Sequence, residues 1–247
     1  MNQQLFDDAC NLIIDQNLSK NGIGTLCEKT IHAVLKTYFS PETQYQEQKV
    51  SNYVADIFKD NQIIEIQTRN FNTLRRKLDA FLPEHDVTIV YPVAHTKWLC
   101  WVNEETGEVS KPRKSPKTGS PVQIFPELYR IKNYLTHPNL HLHIVMLDVE
   151  EYRLLNGWSK DKKRGSSRND GIPVALSDEF IIRETSDYVQ LIPDSLPTQF
   201  TTKDYKKAAH ISQSGAWTAL NILAHVQVIK QVGKQGNALV FERSYET

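Results

Sequence analysis

No stretch of this chain approaches the roughly 18 consecutive apolar residues that a membrane-spanning helix needs, so no such helix is expected. The first residues, MNQQLFDDACNLII, are acidic where a secretory leader is basic, and no cleavage-type pattern follows them. Cysteine is scarce. Cys10, Cys27 and Cys100 are an odd number without metal-ligand spacing, which excludes a disulfide framework and suits three small buried hydrophobes in a reducing cytoplasm. An excess of one charge is missing as well: 29 basic and 29 acidic residues cancel, which argues against a histone-like binder. There is no G-x-S-x-G, P-loop or dinucleotide-type glycine pattern, no internal repeat and no low-complexity tract. His85, His95, His210 and His225 show no HxxxH spacing, and His141 and His143 read as edge polarity of a strand rather than a zinc site.

What is present is ordinary globular material, long enough for one large domain or a medium one with a small one. LCEKTIHAVLKTYF (26–39) has helical apolar spacing and is stopped by Pro41, with Gly22 and Gly24 forming the loop before it. Three short strands follow, in TQYQEQKV, YVADIF and IIEIQT, joined by the tight polar breaks Ser51-Asn52 and KDNQ into an antiparallel meander. FNTLRRKLDAFLP (71–83) is helical and DVTIVYPV a buried strand, which together make a parallel crossover unit. TKWLCWV is read as a further strand, IFPELYRIKNYL (124–135) as a helix and LHLHIVMLDV (140–149) as a long strand. The fold class expected is α/β, a mixed sheet that begins as a hairpin and continues parallel, over residues 1–190.

Charge is unevenly placed. GEVSKPRKSPKTGSP (107–121) carries four positive charges against one negative, and WSKDKKRGSSR (158–168) five against one. Both have loop composition, and their Lys114, Lys117, Lys162, Lys163 and Arg164 are candidate contacts to a polyanion such as DNA. After about residue 190 the pattern changes. FTTKDYKKAAHISQSGAWTAL gives two short helices, with Thr201 or Thr202 and Ser212 or Ser214 as cap candidates, and VGKQGNALVF a glycine-turned hairpin. This combination resembles a winged helix-turn-helix domain over 191–247. The resemblance implies a DNA-facing helix at 213–225, bringing Gln213, Thr218 and Asn221 to base edges and Lys230, Lys234 and Arg243 to phosphates. The helix is apolar, which leaves protein contacts or a homodimer as the other expectation.

VADIFKDNQIIEIQT (54–68) places one carboxylate in each of two apolar runs, where a lone ionised acid is expensive to bury. With the break centred on 60–61, Asp56 pairs near Glu65 across the hairpin, and Glu65 and Gln67 share a side of their strand. Glu28 on the preceding helix can pack over the same spot, and the oxygen donors, with a carbonyl such as that of Ile66, suit a hard divalent cation. This order resembles the PD-(D/E)xK nuclease superfamily, with a restriction-endonuclease-like core: Glu28 on a helix, Asp56 on a hairpin and EIQ (65–67) on the next strand. The resemblance implies a Mg²⁺- or Mn²⁺-dependent DNA endonuclease, with Asp56, Glu65 and Glu28 as metal ligands and Gln67 completing the catalytic set. Gln67 stands where that family usually has Lys, so the cation is sought at Lys49, Arg69, Arg75, Arg76 or Lys77. A nuclease fold that binds DNA without cutting it is the alternative. The plainer account has Asp56 at a solvated edge, Glu65 paired with Arg75 or Arg76, and Glu28 as a first-turn acid.

Overall fold

The computed structural model describes residues 2–21, 29–103, 105–155 and 167–244. Gly22, Gly24, Cys27, Glu28, Lys162, Lys163 and Arg164 lie outside the described residues. Two helices, α1 (Gln3–Asn21) and α2 (Lys29–Phe39), precede the sheet. The meander forms as its polar breaks suggest: β1 (Gln46–Val50), β2 (Tyr53–Lys59) and β3 (Gln62–Ile66) are consecutive antiparallel strands. The β2–β3 turn sets Asp60 and Asn61 at φ 49° and 67°. Residues of this kind adopt that left-handed conformation most readily because their short polar side chains bond the local backbone.

A 3-10 turn at Phe71–Leu74 and helix α3 (Arg75–Phe81) then carry the chain to β4 (Asp86–Val102), which lies parallel to β3. Next come β5 (Arg113–Lys114), α4 (Phe125–Arg130), β6 (Leu140–Leu154), parallel to β4, and β7 (Ser167–Ile182), antiparallel to β6. The order across the sheet is β1-β2-β3-β4-β6-β7, with β5 on the edge of β4 that β3 has vacated. The protein is therefore a mixed α/β fold whose sheet opens antiparallel, continues parallel and closes with an antiparallel strand.

Three details depart from the sequence expectation. TKWLCWV is not a separate strand. It continues β4 beyond a register shift between Ala94 and Lys97. Pro92 sits inside that strand because the carbonyl of Val90 turns toward β3, where it accepts from Gln67 N–H, and two residues on β3 has ended. The strand at 140–149 runs on to Leu154, and β7, α1 and the short pairing of β5 had no clear sequence signature.

Both faces of the sheet are covered, which is why β4 and β6 are nearly continuous apolar runs. On one face α1 and α2 bury Phe6, Val34 and Leu35 against Val90, Val145 and Leu147. On the other, α3 and α4 bury Leu78, Phe81 and Leu128 against Ile63, Ile89 and Leu142. That second cluster continues without a break into the C-terminal unit through Leu220, Leu223 and Phe241.

The C-terminal unit contains β8 (Gln199–Thr201), α5 (Thr202–Ala208), α6 (Gln213–His225), β9 (Ile229–Gln235) and β10 (Ala238–Arg243), its strands ordered β8-β10-β9 and antiparallel. Thr201 caps α5 in a reciprocal box with Asp204, and the Ser212 hydroxyl accepts from Gly215 N–H at 3.0 Å to start α6. The hairpin turns at Gly236, φ 59°, where a glycine avoids the Cβ penalty. Among the described residues no helix is long and apolar enough to cross a membrane.

Candidate functional site

The ladder between β2 and β3 runs through Ile57↔Ile64 and stops there. One step on, Asp56 and Glu65 would be partners. Instead the Asp56 side chain takes the place of a backbone acceptor: its Oδ2 accepts from Ile66 N–H at 2.8 Å. The strands therefore fork at Asp56, and the fork lies between the helix coverings of the two faces. From α2, His32 Nε2 reaches the same Oδ2 at 3.2 Å. From α3, Lys77 Nζ donates to both Glu65 oxygens, at 2.7 and 2.9 Å. Four chemically active side chains thus meet because one ladder ends early and each flanking helix supplies a base.

Burial sets the electrostatics. Glu65 is 3 % exposed, and loss of hydration pushes its carboxyl up to about 7, the Asp56 charge adding to the rise while Lys77 opposes it. Burial acts on Asp56 in the same upward direction and is its largest single influence. The His32 contact, the Ile66 N–H and the Lys77 charge together outweigh it and hold Asp56 below the usual carboxylate range. The pair is thereby split: Asp56 is ionised throughout the neutral range, whereas Glu65 titrates within it.

Among the described residues no three His, Cys, Asp or Glu side chains gather closely enough to hold a metal ion. The described oxygen donors at the fork are two carboxylates. That set fits Mg²⁺, which commonly takes one or two carboxylates and keeps several waters, better than it fits a fully protein-enclosed ion. The His32 and Ile66 contacts both fall on Asp56 Oδ2. Gln67 does not join the cluster. It lies one residue beyond β3, and its amide donates to the carbonyl of Arg69 and lies 3.4 Å from Thr73 Oγ1, so it shapes the turn into α3. The cation near Glu65 comes from Lys77, one of the five positions weighed from sequence, and not from Arg75 or Arg76.

Glu47 was not expected here. The two-residue turn at 51–52 fixes Val50↔Tyr53 and Gln46↔Ile57, which sets 47 across from 56. Glu47 has φ 51°, a strained value for a non-glycine residue, and bonds Lys36 of α2. The Lys36 ammonium holds its carboxyl below the usual range, and the charges of Asp56 and His32 also act on it. Counting back from the turn would have found it.

The candidate nucleic-acid contacts are dispersed. Lys114 and Lys117 are exposed on an arm pinned to β4, where Lys114 lies 5.8 Å over the Trp98 ring. The arm is seated by Gly119, whose added Cβ would stand 2.1 Å from the Ala94 carbonyl oxygen. In the C-terminal unit Gln213 and Lys234 are exposed, Lys230 pairs with Glu242 at 3.4 Å, and Asn221 accepts from Lys132 at 2.7 Å. Asn221 is thus turned to the α/β unit, not outward as the resemblance implied. His143 pairs with Glu179 at 3.1 Å and His141 lies 3.7 Å from Asp86, so both are tied into the sheet.

The class defined so far is a two-sided mixed α/β protein with an acid–lysine–histidine cluster at a strand fork. The chain belongs to the family described as "Domain of unknown function (DUF8091)", whose pattern matches residues 29–183. That span runs from α2 to β7 and includes His32, Asp56, Glu65 and Lys77, but not α1 or the C-terminal unit. A protein of Treponema pallidum (strain Nichols), described as "Uncharacterized protein", is 35% identical over 185 residues, covering 74% of this chain and 72% of its own. No solved structure matches the chain.

Proposed function

We propose that the protein is a metal-dependent DNA endonuclease of the PD-(D/E)xK type, acting in a reducing cytoplasm, with a winged-helix-like C-terminal unit that places the nucleic acid. The observation that carries this reading is the position of Lys77, bonded to Glu65 across from Asp56. It supplies from the next helix the cation that Gln67 cannot supply from the strand. Asp56 and Glu65 would hold Mg²⁺ or Mn²⁺, with Glu28 as the third acid. When bound, such an ion lowers the pKa of a water and offsets phosphodiester charge. Lys77 donates to the developing charge on the phosphate oxygens, and His32 orients Asp56 by its hydrogen bond to Oδ2. The free, buried thiols of Cys10 and Cys100 suit a reducing compartment.

A second reading, DNA binding without cleavage, is favoured by one observation: Lys77 engages both oxygens of Glu65, which leaves that carboxylate fully bonded in the absence of metal. Supercoiled plasmid and a four-way junction incubated with Mg²⁺ or Mn²⁺ separate the two. Nicking by the wild-type chain, lost in Asp56→Asn and Lys77→Met while DNA retention in Ca²⁺ persists, is the expected result. No nicking on any substrate would leave the binding reading, and equal nicking by Asp56→Asn would overturn the site altogether.

A further inference from the structure

Trp217 on α6 is 54 % exposed and Tyr129 on α4 is 45 % exposed, unusual for aromatics carried on well-packed helices. Their rings lie 6.1 Å apart at 55°. Each belongs to a different unit of the fold, so the pair straddles the seam between the α/β sheet and the C-terminal unit. Beside Trp217 opens a groove of about 340 Å³ between α6 and the β9–β10 hairpin, floored by Leu220, Leu239 and Phe241.

The polar part of the groove has one charge sign. That charge is Lys132, which lines the groove with the neutral groups of Thr202, Asn221 and His225. Burial and the Lys132 charge hold the His225 imidazole below its usual range, and no carboxylate of the described residues lines the groove. Thr202 opens α5, and Lys206, exposed one turn further on, lies on the same side of that helix. The nearby acids are already engaged. Glu127 bonds Arg130 and Phe71 N–H, Asp204 caps Thr201, and Glu242 pairs with Lys230. An apolar floor, an exposed indole and a cationic rim without acids match a nucleobase with its phosphate better than an acid-bearing or cationic peptide.

We propose that this groove takes an unpaired base of single-stranded or branched DNA, stacked on Trp217, whose indole Tyr129 holds in place from α4, with its backbone held by Lys132 and Lys206. A fully paired duplex cannot offer such a base without unstacking it, so the site selects for a strand end, a gap or a branch. The binding does not require the Asp56–Glu65 cluster. It names the substrate class that a nuclease with this unit would receive.

The test is a fluorescence-anisotropy titration of labelled oligothymidylate, and of a duplex of equal length, in EDTA so that cleavage plays no part. The wild-type chain is expected to bind the single strand more tightly than the duplex. Trp217→Ala should weaken that binding roughly 5- to 150-fold, the usual worth of a stacked base, and Tyr129→Ala should weaken it by less. Both residues are about half exposed, and an unchanged melting temperature would show the variants folded. Lys206→Gln should lower the salt dependence with a smaller loss of affinity. Equal affinity of wild type and both aromatic variants for the single strand overturns the proposal, as does preference for the duplex. A wild-type chain that binds no DNA but changes its sedimentation with Trp217→Ala also overturns it, and assigns the groove to a second copy of the chain. Failure of the nuclease assay with this binding intact would sink the cleavage reading alone.

Discussion

Replacing Glu65 by Gln should change how stability depends on pH in a direction opposite to that of most paired acids. An ordinary paired carboxylate has a lowered folded-state pKa and stabilises the protein as pH rises. Glu65 is raised, from 4.5 to about 7, chiefly by burial. Between those values the folded state holds the extra proton, so stability falls as pH climbs through this window and stays low above it. The rise corresponds to about 3 kcal/mol between the protonated and ionised forms. Urea unfolding in EDTA, from about pH 5 to about pH 8, gives the measurement. Glu65→Gln keeps the shape and cannot ionise, so the wild type should lose about 2–3 kcal/mol relative to the variant across that range. The His32–Asp56 contact is present in both proteins and cancels in the difference. Two stability curves that run parallel would refute the account of Glu65, whatever the enzyme assay shows.

Other outcomes follow from the same geometry. If Asp56 and Glu65 hold a divalent ion, Mg²⁺ at roughly a hundred times Kd should return about 3 kcal/mol to the wild type near neutral pH and nothing to Asp56→Asn, read by the unfolding midpoint. Thr201→Ala removes the cap of α5 and should cost about 1 kcal/mol, seen as a small fall in Tm with the fold intact by circular dichroism. Gly119→Ala places a methyl against the Ala94 carbonyl; it should cost about 1–3 kcal/mol and raise hydrogen exchange in the 111–117 arm. Phe81→Ala, at a ring with no exposure and packed edge-on by Tyr53, should cost about 3–5 kcal/mol by thermal or urea unfolding.

The sequence by itself determined the local elements wherever chemistry recurs at short range. The breaks at Ser51-Asn52 and KDNQ set the meander, Pro41 ended α2, and Thr201 and Ser212 began α5 and α6, since each is a turn or cap whose cause lies within a few residues. That Asp56 and Glu65 come near each other was legible for the same reason, because a tight hairpin fixes its register by counting, although the ladder ends one step short of pairing them. Long-range pairing was not. β7 carries Gly171 and Pro173 and reads as an irregular segment, yet it is a strand because β6 offers it an edge. Composition likewise marked Lys77 only as one of several cations. Its choice over Arg75 and Arg76 came from the way α3 lies across the sheet, which aims one position of that helix at Glu65. Gln67, by contrast, was placed in the site by strand alternation and removed from it because β3 ends at Ile66. Whether a side chain enters the fork depends on where ladders stop and how helices cross them, and those are properties of the packed whole.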